Sequence, residues 1–332
     1  MKNLVAGVHI GDTLTRCALV DEFGKIYAYQ EFNTKDYPKF DGFTVALRDK
    51  IKELSASLKE PNIVEAVGVG SPNGNHYTGE IENASNLPWK GKLQLVKQLG
   101  MLFGNTPIVL TNDANAAAIG EMMYGVAKNI KNFAVITLGT GVGSGLVVNG
   151  HILYGNDGFA GELGHCTVVR ENGRACKCGK IGCLEGYTST IGLKRTVFSL
   201  MSKTMYPSIL RDMSYNQITT QEIAKLAKEG DEIALKAFET AGEYLGLALA
   251  DLVAITTPEK IFLCGGLANY GEFILPSTKE SFDKSLLPLW RDKIEIAISS
   301  LDAKRALTLG AAAHALREIT RKSSTFVRRR VI

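Results

Sequence analysis

The sequence predicts an α/β protein built of two related lobes. Three observations carry that expectation. Short apolar runs bounded by Gly, Asp and Asn alternate with longer segments of helical periodicity. A pattern of strand, Gly-containing turn, strand, turn, strand occurs twice, over residues 4–32 and 133–154. The 332 residues are 45% hydrophobic, ample for two cores.

In the first copy, residues 4–10 read as a buried strand, 11–13 as a turn, and 16–20 as a second strand. Residues 21–24 form another turn, and 25–32 a third strand with apolar alternation. Apolar spacing predicts a helix over about 43–58. A short strand over 65–70 runs into the turn Ser71-Pro-Asn-Gly74. Asn86-Leu-Pro-Trp89 lies in a loop before a helix, with Trp89 assigned to packing. Residues 107–111 form a strand, and Asp113 begins a helix over 114–123.

The second copy has strands over 133–138, 144–148 and 151–154. Asn149-Gly150 is a hairpin turn, because both residues tolerate positive φ. A Cys-rich segment then interrupts the pattern. Helices follow near 191–201, 221–228 and 232–254, then a strand over 261–264 and the turn at Gly265-Gly266. A further helix, a strand over 294–299 and a final helix from about 304 to 317 close the chain.

Charge excludes some functions. The net charge of +4 comes from residues 321–332, which hold five Arg or Lys and no acid. Elsewhere 33 basic residues face 34 acidic ones, a net of −1, so no nucleic-acid partner is expected. The basic tail, with Arg328-Arg-Arg330, is expected to be a frayed, solvated end. The first residues lack the apolar run of a signal peptide. The most apolar helix, near 245–255, is interrupted by Asp251 and too short to span a bilayer, so no membrane partner is expected. Six Cys, four of them clustered near a His and none with an export signal, fit a reducing cytoplasm and a bound metal.

The cluster is His165, then Cys176-x-Cys178 and Cys183, in a Gly-rich segment. Thiolate plus imidazole is the ligand set of a closed tetrahedral zinc site. The Cys-x-Cys arm is tighter than ordinary finger spacing; the competing reading is a set of buried or disulfide-bonded cysteines. Glu162 and Glu185 bracket the cluster, either as surface charges or as part of a polar site that the metal holds in shape.

Leu138-Gly-Thr-Gly-Val-Gly-Ser-Gly-Leu146 joins two strands. Its glycines let backbone N–H groups approach phosphate oxygens, and Thr140 adds a hydroxyl. A tight turn alone would also explain it. A strand rather than a helix follows, which excludes the dinucleotide fingerprint. In Thr111-Asn-Asp-Ala-Asn115, Asp113 is either a helix N-cap or a general base.

Ala160-Gly-Glu-Leu-Gly-His165, followed by Cys-x-Cys-Gly-x-x-Gly-Cys-Leu-Glu185, closely resembles the signature of the ROK family. That family contains bacterial sugar kinases and sugar-responsive repressors, and the resemblance covers nearly the whole chain. It implies an actin-like ATPase (ribonuclease H-like) fold, two related α/β domains around a cleft, with a zinc-bound loop insertion. It implies an N-terminal domain over 1–120, completed by the final helix over about 304–320, a larger domain over 121–303, and the basic tail 321–332. It further implies ATP with Mg²⁺, a hexose substrate, structural Zn²⁺ and a homodimer. Residue by residue, Asp113 becomes the base. Asn86, Asn112, Glu162, His165 and Glu185 join it in binding sugar hydroxyls, with His165 also ligating zinc alongside Cys176, Cys178 and Cys183. The ATP phosphates fall to Gly11, Asp12 and Thr13 and to Gly139, Thr140, Gly141 and Gly143, and the adenosine side to Gly265 and Gly266.

One motif departs. The family's first phosphate loop reads Asp-x-Gly-Gly-Thr, whereas this chain has His9-Ile-Gly-Asp-Thr13. The missing Asp helps place Mg²⁺, and imidazole is a poor substitute because Mg²⁺ prefers oxygen. Asp12 is expected to replace the lost charge in part, standing where a left-handed Gly would otherwise serve. The resulting expectation is a cytoplasmic, glucokinase-like hexose kinase. The rivals are a kinase for another sugar (N-acetylmannosamine, fructose or allose) and a sugar-binding regulator that has lost turnover. The family's repressors carry a helix-turn-helix before the kinase-like body. Here the first strand starts at once, which argues against DNA binding.

Overall fold

The computed structural model describes residues 1–301 and 305–328. The chain begins with an antiparallel meander, β1 (Lys2–Ile10), β2 (Leu14–Val20) and β3 (Ile26–Asn33). Then come α1 (Phe40–Ala56), β4 (Asn62–Ser71), a small hairpin of β5 (Ile81–Glu82) and β6 (Lys92–Leu93), α2 (Leu95–Phe103), β7 (Ile108–Asn112) and α3 (Asp113–Tyr124). β4 lies parallel to β1 and β7 to β4, giving the order β3-β2-β1-β4-β7.

The second meander is β8 (Phe133–Leu138), β9 (Val142–Val148) and β10 (His151–Ile152). After the Cys-rich segment come α4 (Glu185–Thr188), α5 (Thr190–Lys203), α6 (Thr220–Lys228), α7 (Glu232–Thr256), β11 (Lys260–Cys264), α8 (Gly271–Ser285), β12 (Glu295–Ile298) and α9 (Ala306–Arg328). The order β10-β9-β8-β11-β12 repeats that of the first sheet, with the same parallel and antiparallel pairings. The repeat seen in the sequence is therefore a structural duplication.

Both sheets are covered on both faces, which explains why their strands read as continuous apolar runs. In β1, Leu4, Ala6, Val8 and Ile10 pack toward α1, whose Phe43, Leu47, Ile51 and Leu54 form a buried stripe. The alternate residue Val5 packs with Leu309, Ala312 and Ala315 of α9. In the second sheet, Phe133, Val135 and Val147 pack with Ala117 and Ala118 of α3. Each sheet is thus closed by the helix that follows the other sheet. Glycines permit the close approach: a Cβ on Gly68 would lie 1.8 Å from the Ala311 carbonyl oxygen, and one on Gly145 2.5 Å from that of Ala114.

The two exchanged helices cross at Gly120 and Gly310, and a Cβ on Gly310 would lie 1.8 Å from the Ala116 oxygen. Gly310→Ala should therefore force the helices apart. The expected cost is about 3 kcal/mol, the scale of overpacking a well-filled core, or a fall in Tm of roughly 6 °C or more. Gly100→Ala is the control. Gly100 has no atom within 4 Å of its Cβ position and sits inside α2, so alanine there should leave Tm unchanged or raise it. Thermal melts of the pair check the prediction; equal Tm values would refute it.

Four details differ from the sequence expectation. The third strand of the second copy was expected over 151–154 but ends at Ile152. Leu153 N–H still donates to Leu146, but Tyr154 then stacks on His76 with ring centres 4.2 Å apart, and Gly155 turns the chain at φ +71°. The hairpin of β5 and β6 is too short for any alternation to announce it. The basic tail is not irregular from Arg321: α9 continues to Arg328. The expected start of that helix at Lys304, and residues 329–332, lie outside the described residues. Lastly, Asp12 keeps a negative φ, so its place in the loop owes nothing to left-handed backbone.

Candidate active site

Asp113 is the first residue of α3, directly after β7. The cap is Asn112 rather than Asp113: its Oδ1 accepts the Ala114 N–H at 2.8 Å, and Asp113 Oδ1 accepts the same N–H at 2.8 Å. Burial raises the Asp113 carboxyl above the ordinary aspartate range, against the pull of these N–H groups. A buried carboxylate with a raised pKa is better suited to accept a proton than an ordinary surface aspartate is.

Glu162 comes from the other lobe. Its segment is laid onto β9, where Ser144 Oγ donates to the Gly161 carbonyl and accepts the Leu163 N–H at 3.3 Å. A Cβ on Gly164 would lie 1.9 Å from the Val142 oxygen, so only glycine allows this seat. Burial raises the Glu162 carboxyl; His165 lowers it, and the charges of Asp113 and Glu185 raise it further. Three carboxylates thus converge from both lobes. Ionised, they are acceptors only, and a ligand rich in hydroxyl donors suits them.

Behind them lies the Cys-rich knot. Cys176 N–H donates to the Lys180 carbonyl at 2.9 Å around a turn with Gly179 at φ +89°. The ligating atoms of His165, Cys176, Cys178 and Cys183 all lie within 4.8 Å of one another. Cys176 Sγ is 3.7 Å from His165 Nδ1, and Cys178 Sγ 3.7 Å from Cys183 Sγ. A tetrahedron with zinc–sulfur bonds of about 2.3 Å has edges of ~3.8 Å. The four residues therefore fit zinc, and the Cys178–Cys183 sulfur pair requires no disulfide. All six cysteines are free. Because Nδ1 of His165 faces the cysteines, Nε2 is the nitrogen directed away from the knot.

The glycine-rich turn after β8 is held at both ends. Thr190 N–H donates to the Gly139 carbonyl at 2.8 Å, and Glu185 Oε2 accepts the Val142 N–H at 3.1 Å. Gly143 N–H donates to Thr137 Oγ1 at 3.2 Å, while Thr140 is exposed at the tip. On the neighbouring strand, Gly265 has φ +95° and a Cβ would strike the Leu138 oxygen at 2.6 Å, whereas Gly266 faces open space.

In the first loop, Thr34 Oγ1 donates to the Gly11 carbonyl at 2.8 Å, and Thr34 N–H to the Thr13 carbonyl at 2.8 Å. His9 is buried, and its Nδ1 lies 3.5 Å from Arg16 Nη1. Burial, with the Arg16 charge, pushes the His9 pKa down to about 3, so the ring is neutral and accepts from the guanidinium. Arg16 in turn pairs with Glu31 at 3.4 Å. An imidazole engaged by a guanidinium does not fit a Mg²⁺ ligand; Asp12 is the carboxylate of this loop.

Asn86 is exposed in its loop, which Leu87 and Trp89 anchor: Trp89 packs 4.5 Å from the Phe43 ring and donates Nε1–H to the Tyr37 carbonyl. Sequence reasoning missed three supports. Buried Asn75 ties the lobes together, donating to Glu82 at 2.9 Å and to the Asp157 carbonyl at 2.8 Å. Ser144 seats the Glu162 segment. Arg174 pins the knot to α4 and α5 through the Gly186 carbonyl at 3.0 Å and Thr196 Oγ1 at 2.9 Å. Only Ser144, inside the glycine pattern, carried any signal.

Two sheets of one order, each closed by the other's last helix, with the convergent residues between them, define the class: an actin-like ATPase fold with a Cys/His knot. Within that class the profile of the ROK family matches residues 5–318, and the chain belongs to that family. It is 35% identical to a glucokinase of Halalkalibacterium halodurans, over 89% of this chain and 90% of that one. Its structure resembles a ROK family glucokinase of Streptomyces griseus in complex with glucose and AMPPNP, with a TM-score of 0.79 and 30% identity over 95% of this chain and 99% of that one. It is also 26% identical to a xylose repressor of Caldicellulosiruptor bescii, over 92% of this chain and 76% of that one. Among the described residues no helix is long and apolar enough to cross a membrane.

Proposed function

We propose that this protein transfers the γ-phosphoryl group of ATP to a hexose, glucose first among the candidates, giving the 6-phosphate. The observation that carries the reading is the convergence of Asp113 with Glu162 and Glu185, beside a glycine-rich turn that Glu185 itself touches. Asp113 takes the proton of the sugar hydroxyl. That oxygen attacks the γ-phosphorus, the bond to the β–γ bridging oxygen breaks, and ADP leaves. Asn86, Asn112, Glu162, His165 and Glu185 orient the sugar. Gly11, Asp12 and Thr13, the turn from Gly139 to Gly143, and Gly265-Gly266 receive the nucleotide. Zinc held by His165, Cys176, Cys178 and Cys183 would fix the shape of the sugar side. Mg²⁺ bound with ATP would offset phosphate charge, with Asp12 rather than His9 as the fitting donor. The division at about residue 120, the homodimer and the cytoplasmic setting belong to the same proposal.

The second reading, a sugar-binding regulator without turnover, is favoured by the altered first loop, where a neutral His9 imidazole stands in place of the family's carboxylate and Asp12 in place of a glycine, and by the likeness to a xylose repressor. ATP turnover assayed with glucose, fructose, N-acetylmannosamine and allose decides between them. Hexose phosphate from one of these supports the kinase, and sugar binding without product supports the regulator.

Asp12 can be judged separately. Asp12→Gly should lower kcat and raise the Mg²⁺ requirement, and adding His9→Asp should restore both. Titrations with Mg²⁺ and Mn²⁺ read this out. Faster turnover in Asp12→Gly alone would make Asp12 an inhibitory charge instead.

A further inference from the structure

Glu185 occupies two sites at once. Its Oε2 accepts the N–H of Val142, within the turn assigned to ATP phosphates, at 3.1 Å. A Cβ on Gly141 would lie 2.6 Å from the same oxygen, so the carboxylate lies against that turn. Its Oε1 lies 3.7 Å from Cys176 Sγ, and its charge acts on Glu162, which places the same group on the sugar side. The backbone around it is fixed: the Glu185 carbonyl accepts Ser189 Oγ at 2.7 Å, and Thr190 N–H holds Gly139. The side chain is therefore the part free to change partners.

A carboxylate and a phosphate are both acceptors and both anionic. With Glu185 against the turn, an arriving phosphate meets an occupied donor and a like charge. Sugar hydroxyls are donors, and the carboxylate can turn to them. We propose that Glu185 couples the two ligands: sugar draws its carboxylate off the glycine-rich turn and opens that turn to the nucleotide. The inference rests on the kinase reading and adds a regulation to it. Without sugar the turn is guarded, and ATP is spared from transfer to water. Linkage makes the effect reciprocal, so nucleotide tightens sugar by the same factor.

The test is calorimetric binding of AMPPNP, with and without whichever sugar of the four-member panel is bound. In the unaltered protein, sugar should tighten AMPPNP about tenfold, within the usual range of such couplings. Gly141→Ala is the first probe, read beside Glu185→Gln because Gly141 itself lies in the turn assigned to the phosphates. Gly141 does not have positive φ, and within 4 Å its Cβ would meet only Glu185. The added methyl should push the carboxylate off Val142. Sugar-free AMPPNP affinity should then rise about tenfold, the sugar effect shrink to within about twofold, and sugar-free ATP hydrolysis increase. Glu185→Gln, which removes the charge at nearly constant shape, should also tighten sugar-free AMPPNP. Independent binding of the two ligands in the unaltered protein overturns the coupling alone. So does full coupling retained in Gly141→Ala, or loss of AMPPNP binding in both variants, which would make the carboxylate a support of the phosphate site. A protein that binds no nucleotide at all overturns the kinase reading, and the coupling with it.

Discussion

Asp113→Asn should lower kcat by about a hundredfold or more, while sugar affinity stays within a few-fold of the unaltered protein. The amide keeps the shape of the side chain and an oxygen able to accept the Ala114 N–H, and Asn112 caps α3 in either case. What is lost is the proton acceptor. The loss equals about 2.7 kcal/mol of transition-state stabilisation at a hundredfold. The pH profile distinguishes a lost base from a distorted site. Burial raises the Asp113 pKa, so the protonated, inactive form persists to higher pH than for an ordinary aspartate. The rate of the unaltered enzyme should therefore fall with falling pH at a point above the usual aspartate range, and the residual rate of the variant should lack that step. Stability gives a second check. A carboxyl with a raised folded-state pKa costs stability above that pKa and nothing below its unfolded value. At neutral pH the amide removes that cost, so the variant should melt no lower than the parent. Near-normal kcat would sink the assignment, and a clear fall in Tm would assign the kcat loss to structure instead.

Purified protein should contain about one zinc per chain, since four ligands close one tetrahedral shell. Cys178→Ser should reduce that content and weaken sugar binding by at least about tenfold, the scale of losing a metal's support. AMPPNP affinity measured without sugar should change far less. Cys178 is exposed, so serine leaves no cavity in the core and the effect reports the metal. Burial, helped by the neighbouring thiols, pushes Cys183 up to about 12, so its sulfur carries a proton at neutral pH when no metal is bound. Zinc must displace that proton, and its retention should weaken as pH falls. Metal analysis beside sugar titrations checks all of this. Metal-free protein that folds and binds sugar normally would refute a structural zinc.

Much of this architecture was legible because it is local. The paired strands β1–β2 and β8–β9 announce themselves through apolar runs and Gly turns, and Asn149-Gly150 has the positive φ of both residues that its sequence implied. The knot was legible because four ligands, one His and three Cys, fall within nineteen residues, counted from His165 to Cys183. Other features depend on what lies across space. That Asn112 caps α3 instead of Asp113 depends on one extended residue at the helix start, φ −62° and ψ 148°. That His9 is neutral depends first on its burial and then on Arg16, its partner in the ladder between β1 and β2, and no pattern in either strand states that pairing. Asn75 and Arg174 work through long-range bonds to backbone carbonyls, which any sequence offers at every position.

The exchange of α3 and α9 between the sheets also bears on how the chain is made. The sheet formed by the first 112 residues keeps one apolar face open until the helix beginning at Ala306 arrives to cover it. Synthesis proceeds from the N-terminus at about 5–20 residues per second, and domains usually fold in that order. Here the first lobe can form early but cannot be finished early. Val5, Ala18, Val20 and Ala66 wait for Leu309, Ala312 and Ala315. A nascent chain released before those residues would carry an exposed apolar sheet face, a substrate for chaperones and a seed for aggregation, however complete its own secondary structure.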